Sequence, residues 1–167
     1  MNYLLDSNSL IDSARDFYRA TNFPCVWEKL SQKENIFMLE NVYKELSGYG
    51  DKLSGWVIDN FKDRQFSIDD KTIVSYAQIQ EWISTCGYWK PSGFSLWSTT
   101  DKADPWLIAT AMSHRNFTIV SHEKNRPFLD INRPSKKEPK ITSVADQFKV
   151  KVIPIYDLLS EINFVDN

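Results

Sequence analysis

Four acids occupy positions where buried elements end. Asp6 closes the apolar run of Tyr3, Leu4 and Leu5, and Glu45 follows Val42 and Tyr43. Asp104 heads Asp104-Pro105-Trp106-Leu107-Ile108-Ala109, and Glu123 comes just after Phe117-Thr118-Ile119-Val120-Ser121. A single carboxylate at such a place is ordinarily a helix cap or a solvated end. Several of them in one partly buried crevice repel each other, which folding tolerates only when protons or cations neutralise the charge. Mg²⁺ or Mn²⁺ suits that duty, because both are hard ions that prefer oxygen ligands and keep some of their water. An ion so held activates water and stabilises charge on a phosphate, and phosphodiester hydrolysis is the reaction that most needs both. The chain offers no Ser/His/Asp or Cys/His arrangement as a rival route.

Strands and helices must bring those acids together. Tyr3 to Asp6 reads as a buried strand, Ser7-Asn8-Ser9 as a capping turn, and Leu10, Ile11, Ala14, Phe17 and Tyr18 recur at helical spacing. A helix over Val26 to Ser31 precedes Ile36 to Leu39, a short strand or an extended lead-in. Asn41 is the expected N-cap of the next helix, on which Glu45 should lean inward between Val42 and Leu46. Helices are expected from Leu53 to Phe61 and from Lys71 to Cys86, then a long loop from Gly87 to Thr100 rich in Gly, Pro, Ser and Trp. The helix from Asp104 to His114 tolerates Pro105 because it lies in the first turn, and it directs the Asp104 carboxylate toward the core.

Phe117 to Ser121 is the clearest strand, rich in β-branched residues. A polar basic loop from Lys124 to Lys140 follows. Thr142 or Ser143 then caps a helix to Phe148, Val150 to Ile155 forms a last strand, and Tyr156 to Ile162 a last helix. Strands alternating with helices predict an α/β fold, a three-layer α/β/α sandwich around a mostly parallel sheet. Carboxyl ends of parallel strands share one rim, so Asp6 and Glu123 should face one crevice, with Glu45 and Asp104 entering from the flanking helices.

At 167 residues the chain is expected to form a single domain over 1–167, long enough to bury a full core. Hydrophobic residues at 42% and charged residues at 25% are ordinary for a soluble protein, and 14% aromatics with six Trp predict aromatic-rich packing. No segment approaches the roughly 18 to 20 apolar residues of a membrane helix, and no basic leader opens the chain, so a cytoplasmic location is expected. Cys25 and Cys86 are isolated thiols with no metal-ligand spacing. A formal charge of −2 exerts no general pull on a polyanion, so local basic patches would have to attract nucleic acid.

Taken in order, Asp6 after an apolar strand, Glu45 on a helix, Asp104-Pro105-Trp106-Leu107-Ile108-Ala109-Thr110-Ala111 in place of D-x-x-I-A-x-x-A, and Val120-Ser121-His122-Glu123 in place of V-T-x-D resemble a PIN domain. The resemblance covers nearly the whole chain. It implies a metal-dependent ribonuclease acting on RNA, in bacteria often the toxin of a toxin–antitoxin pair, with a cognate antitoxin as partner and homodimers common. Carried over position by position, Asp6, Glu45 and Asp104 match the metal-binding acids of the family. Glu123 matches a fourth that is usually Asp, and its longer side chain is a departure that leaves direct ligation open. Asp101 is a fifth candidate, or else part of the helix cap.

Accessory roles follow from position. Asn8 or Ser7 could hold the first acid or a water on the ion, or simply cap the helix. His122 should point away from Glu123, since strand neighbours face opposite sides. Arg126, Arg133, Lys136, Lys137 and Lys140 could hold RNA phosphates or form a solvated face. Trp89 and Trp97 could stack on unpaired bases, whereas Trp106 belongs to the core. Two rivals stand beside a nuclease. A haloacid-dehalogenase-type phosphatase would need an acid where Asn8 stands, and an inactive nucleic-acid-binding or interaction module is favoured by Glu at position 123.

Overall fold

Tyr3, Leu4 and Leu5 are all buried, as expected of a strand covered on both faces. They belong to β1 (Asn2–Leu5), from which the chain turns directly into α1 (Ser7–Asp12), prolonged by a π-helical stretch over Ser13–Phe17. The computed structural model describes residues 1–123 and 126–162. Lys124 and Asn125, the start of the expected basic loop, and residues 163–167 at the end of the expected domain lie outside the described residues.

From there α2 (Pro24–Gln32) leads to β2 (Ile36–Leu39), α3 (Glu40–Ser47), α4 (Lys52–Phe61) and the two-residue β3 (Gln65–Phe66). The long α5 (Asp70–Thr85) precedes α6 (Pro91–Phe94), a 3₁₀ turn over Ser95–Ser98, and α7 (Ala103–Ser113). After β4 (Phe117–Val120) come α8 (Ile141–Gln147), β5 (Val152–Ile153) and α9 (Ile155–Glu161). All strand pairs are parallel, in the order β3-β2-β1-β4-β5. The α/β sandwich with a parallel central sheet is therefore the observed architecture. Among the described residues no helix is long and apolar enough to cross a membrane.

Strand order decides where a site can form. From β1 the chain steps outward to β2 and β3, then returns to β4 on the other side of β1 and continues to β5. Right-handed crossovers running in opposite directions place their helices on opposite faces, which opens a crevice at the carboxyl ends of β1 and β4. Leu5 pairs with Val120 at that end, so Asp6 and Ser121 emerge side by side. Behind the crevice α7 is buried almost all round, with Leu107, Ile108, Ala109 and Ala111 in the core, and α5 packs along it.

Several expectations are corrected. Asn41 does not cap α3, which begins two residues earlier with Leu39 at the N-cap; the Asn41 side chain accepts instead from the Val42 amide. Glu45 is exposed rather than inward-leaning, since Val42 and Leu46 take the buried face and leave it on the flank. The 87–100 segment is partly helical, with Pro91 starting α6. Thr142 and Ser143 are buried in the first turn of α8 rather than capping it, and β5 is shorter than Val150 to Ile155. The brief β3 went unrecognised because two residues carry no periodicity.

Candidate metal centre

Asp6 is the N-cap residue of α1, in extended backbone, yet its side chain caps nothing. Its amide donates to the Val120 carbonyl at 2.9 Å, continuing the ladder one step beyond the strand, and its carbonyl receives the Ser9 hydroxyl at 2.6 Å. The carboxylate turns toward β4, where Ser121 Oγ donates to Oδ2 at 2.7 Å. Only 2% of the residue is exposed. Burial, then the negative charge of Asp104, push its pKa up to about 7; the Ser121 hydroxyl opposes this, while Glu45 and Glu123 add to it. Four of the expected acids thus share one electrostatic field centred on Asp6.

Asp104 lies in the first turn of α7, with Pro105 next to it and no side-chain cap at Lys102. Burial raises its pKa as well; the Lys102 ammonium works against that and Glu123 works with it. Lys102 Nζ stands 3.3 Å from Asp104 Oδ2 and 3.1 Å from Glu138 Oε2, a cation built in between two acids. Glu123 is committed differently. Its Oε2 accepts the first amide of α8, from Ile141, at 2.7 Å, and its Oε1 meets Lys140 Nζ at 2.6 Å. The longer side chain therefore reaches across to anchor a helix, and both of its oxygens are already partnered. Glu45, at the outer edge, accepts from the Tyr49 hydroxyl at 3.2 Å.

The remaining candidates divide clearly. Asp101 is exposed in the turn ahead of α7, bonded to none of these acids, and it does not cap the helix. Asn8 is exposed on α1, so holding the first acid falls to Ser121 rather than to Asn8 or Ser7. His122 turns away from Glu123 toward the first helix, edge-on to Phe17 at 5.0 Å and with Nδ1 3.8 Å from Asp12 Oδ2. Trp89 and Trp97 are buried and cannot stack on a base; α6 and the 3₁₀ turn fold them inward, where Trp89 meets Trp82 edge-on. Trp106 stacks on Tyr76 at 3.8 Å. Of the basic residues, Arg126 pairs with Asp146 at 3.0 Å and Lys140 with Glu123. Cys25 and Cys86 are free thiols.

Three contributors escaped sequence reasoning. Ser121 could have been found from the parallel pairing, since a hydroxyl one residue past β4 must neighbour an acid one residue past β1. Lys102, two residues ahead of Asp104, carried no pattern, and Glu138 was hidden in the Pro134 to Pro139 stretch.

All the acids that converge are hard oxygen donors, and the shared field that lifts Asp6 and Asp104 is the kind a divalent cation relieves. In chemistry the donor set fits Mg²⁺ or Mn²⁺. In placement it is not yet gathered, for among the described residues no three His, Cys, Asp or Glu side chains stand together as a ready-made ion cage. Lys102 holds the position of a counter-ion on Asp104, so an ion on Asp6 and Asp104 would compete with that ammonium.

A crystal structure of FitAcB from Neisseria gonorrhoeae shares the fold, with a TM-score of 0.53 over 90% of this chain and 96% of the other at 18% identity. No curated protein matches the sequence. Residues 3–165 match the family described as Domain of unknown function (DUF4411), and the chain belongs to that family.

Proposed function

We propose that this protein is a metal-dependent endoribonuclease with a PIN-like centre built on Asp6 and Asp104. The observation that carries the reading is the buried Asp6 carboxylate at the switch point of a parallel sheet, raised to about 7 by burial and by Asp104. An isolated acid in that place would be a liability to folding; a pair of them facing the rim where α/β proteins bind ligands is functional in character. Asp6 and Asp104 would hold Mg²⁺ or Mn²⁺, with Glu45 contributing charge from the edge. The ion, when bound, supplies a Lewis acid for the phosphate and lowers the pKa of water.

What the chain itself does is position and tune. Ser121 holds the Asp6 carboxylate by a hydrogen bond that favours the ionised form a cation needs. Lys102 neutralises Asp104 and joins it to Glu138, so that the resting centre is stable without an ion. Glu123 and Lys140 tie α8 to the rim and complete its wall. The toxin role and a cognate antitoxin are what the resemblance to PIN domains implies, and they enter the proposal on that ground.

A second reading is favoured by one observation. Both oxygens of Glu123 are occupied by Ile141 and Lys140, which suits an inactive nucleic-acid-binding or interaction module whose acids have become structural. Incubation with a single-stranded RNA in Mg²⁺ or Mn²⁺, against EDTA and an Asp104→Asn variant, separates the two. The nuclease reading expects internal cleavage that chelation abolishes and the variant lacks; RNA left intact in all lanes supports the module.

A further inference from the structure

Beside the carboxylate centre lies a cavity of about 320 Å³, lined by Tyr88 and Trp89 and by residues between Arg126 and Lys140. Its size is at the low end for a small-ligand pocket, suited to about one nucleotide and too small for a duplex. Lys140 and Glu138 belong to both places, since they line the cavity and also pair with Glu123 and Lys102 at the centre. The cavity is firmly built. Ser135 exchanges backbone hydrogen bonds with its neighbours, its amide donating to Tyr88 and its carbonyl accepting from Lys90, both at 2.8 Å. The same stretch lies so close on α6 that a Cβ at Gly93 would sit 2.8 Å from the Ser135 carbonyl oxygen and 2.9 Å from that of Lys137.

The charge of the wall is predominantly positive and partly uncommitted. Arg126 and Lys140 are taken by Asp146 and Glu123, whereas Arg133 and Lys137 pair with no carboxylate among the described residues. On a chain of net charge −2, this basic surface adjoins the very acids that would repel a polyanion. At its lip stands Phe128, 92% exposed and the most exposed large apolar side chain among the described residues. A lone exposed apolar residue needs no explanation. A ring beside unpaired cations, on a built cavity next to a candidate phosphodiester centre, has one: it matches the pairing of stacking platform and basic groove by which proteins hold unpaired strands.

We infer that this cavity is a subsite for single-stranded RNA, in which a base stacks on Phe128 while an adjacent phosphate lies against Arg133 and Lys137; the inference rests on the nuclease reading for its choice of RNA. A duplex keeps its base faces stacked internally and offers nothing to the ring, so the subsite selects unpaired segments and feeds them toward Asp6 and Asp104.

Fluorescence anisotropy with a labelled oligoadenylate of about eight nucleotides, and with a hairpin duplex, tests the subsite in EDTA, where cleavage plays no part. Phe128→Ala should bind the single strand about 5- to 100-fold more weakly with duplex binding unchanged, and Phe128→Tyr should restore it. Arg133→Ala combined with Lys137→Ala should lower the slope of log affinity against log salt by about 1.4. Equal single-strand affinity in Phe128→Ala, an unchanged salt slope, or a Phe128→Ala effect confined to elution volume in size-exclusion chromatography, which would make the ring a protein contact, overturns the assignment. Binding of this pattern without cleavage in Mn²⁺ leaves the subsite standing and removes the nuclease reading; cleavage in Mn²⁺ with Phe128→Ala binding like wild type does the reverse.

Discussion

Ser121 donates its hydroxyl to the Asp6 carboxylate across 2.7 Å, from the residue after β4 to the residue after β1. The contact is a direct consequence of register, because Leu5 lies opposite Val120 and the next residues on each strand must meet. It joins the two halves of a doubly wound sheet at the place where their directions diverge. It also works against the burial and the Asp104 charge that raise the pKa of the most buried acid in the centre.

Replacing Ser121 by Ala removes the hydroxyl bonded to the Asp6 carboxylate and leaves a buried carboxyl short of a partner. We expect a loss of about 1 to 3 kcal/mol in urea denaturation at neutral pH, with Ser121→Thr recovering most of it. Unchanged stability in the Ala variant would mean that the bond does not hold Asp6.

The pH dependence has a definite sign. An unfolded Asp6 ionises near 3.8, whereas in the fold it is held up to about 7. Between those values the folded chain binds more protons than the unfolded one, so its contribution to stability falls as pH rises and levels off above about 7. The loss is greatest at and above neutral pH without a divalent ion. Asp6→Asn cannot titrate, so thermal melts in EDTA from about pH 4.5 to 7.5 should show the variant gaining on the wild type as pH rises. A difference that stays constant, or runs the other way, contradicts the raised pKa.

Lys102 tests whether the resting centre carries its own counter-ion. Lys102→Met should destabilise the metal-free protein by about 1 to 2 kcal/mol, since it strands Asp104 in a mostly buried setting. Saturating Mn²⁺ should then raise the melting temperature of the variant more than that of the wild type, because the ion no longer competes with an ammonium. Identical shifts in both proteins would remove Lys102 from the account.

Glu123 distinguishes anchoring from ligation. Glu123→Gln keeps an oxygen for the Ile141 amide and should change stability by no more than about 1 kcal/mol, whereas Glu123→Ala leaves that amide unpaired and should lose about 1 to 3 kcal/mol. Mn²⁺ affinity should survive the Gln substitution within about tenfold. A collapse of metal binding in Glu123→Gln would restore it as a direct ligand.

How much of this was legible beforehand follows from the range of each interaction. The parallel α/β architecture could be read because β1 and β4 are continuous apolar runs and α7 begins with a tolerated proline, all of them local signals. The convergence of Asp6 and Asp104 was legible from the same logic, as each lies at the end of an element facing one rim. The burial of Trp89 and Trp97 was not, since a segment rich in Gly, Pro and Ser reads as an open loop until α6 folds it over the core. Nor were Lys102 with Glu138, or Lys140 with Glu123, because pairs distant in the chain leave no trace in spacing. Glu45 shows the limit of helical periodicity: a residue on the flank of an apolar stripe can face either way.

On the proposed reading, Asp6 and Asp104 together form a site for a divalent cation. Calorimetric titration of Mn²⁺ into the wild type, Asp6→Asn and Asp104→Asn, each shown to be folded, measures it without reference to any substrate. Saturable binding is expected in the wild type and at least about a tenfold loss in either variant, since each removes a charged ligand from a hard-ion site. Equal binding by all three proteins, or no saturable binding in the wild type, would contradict it.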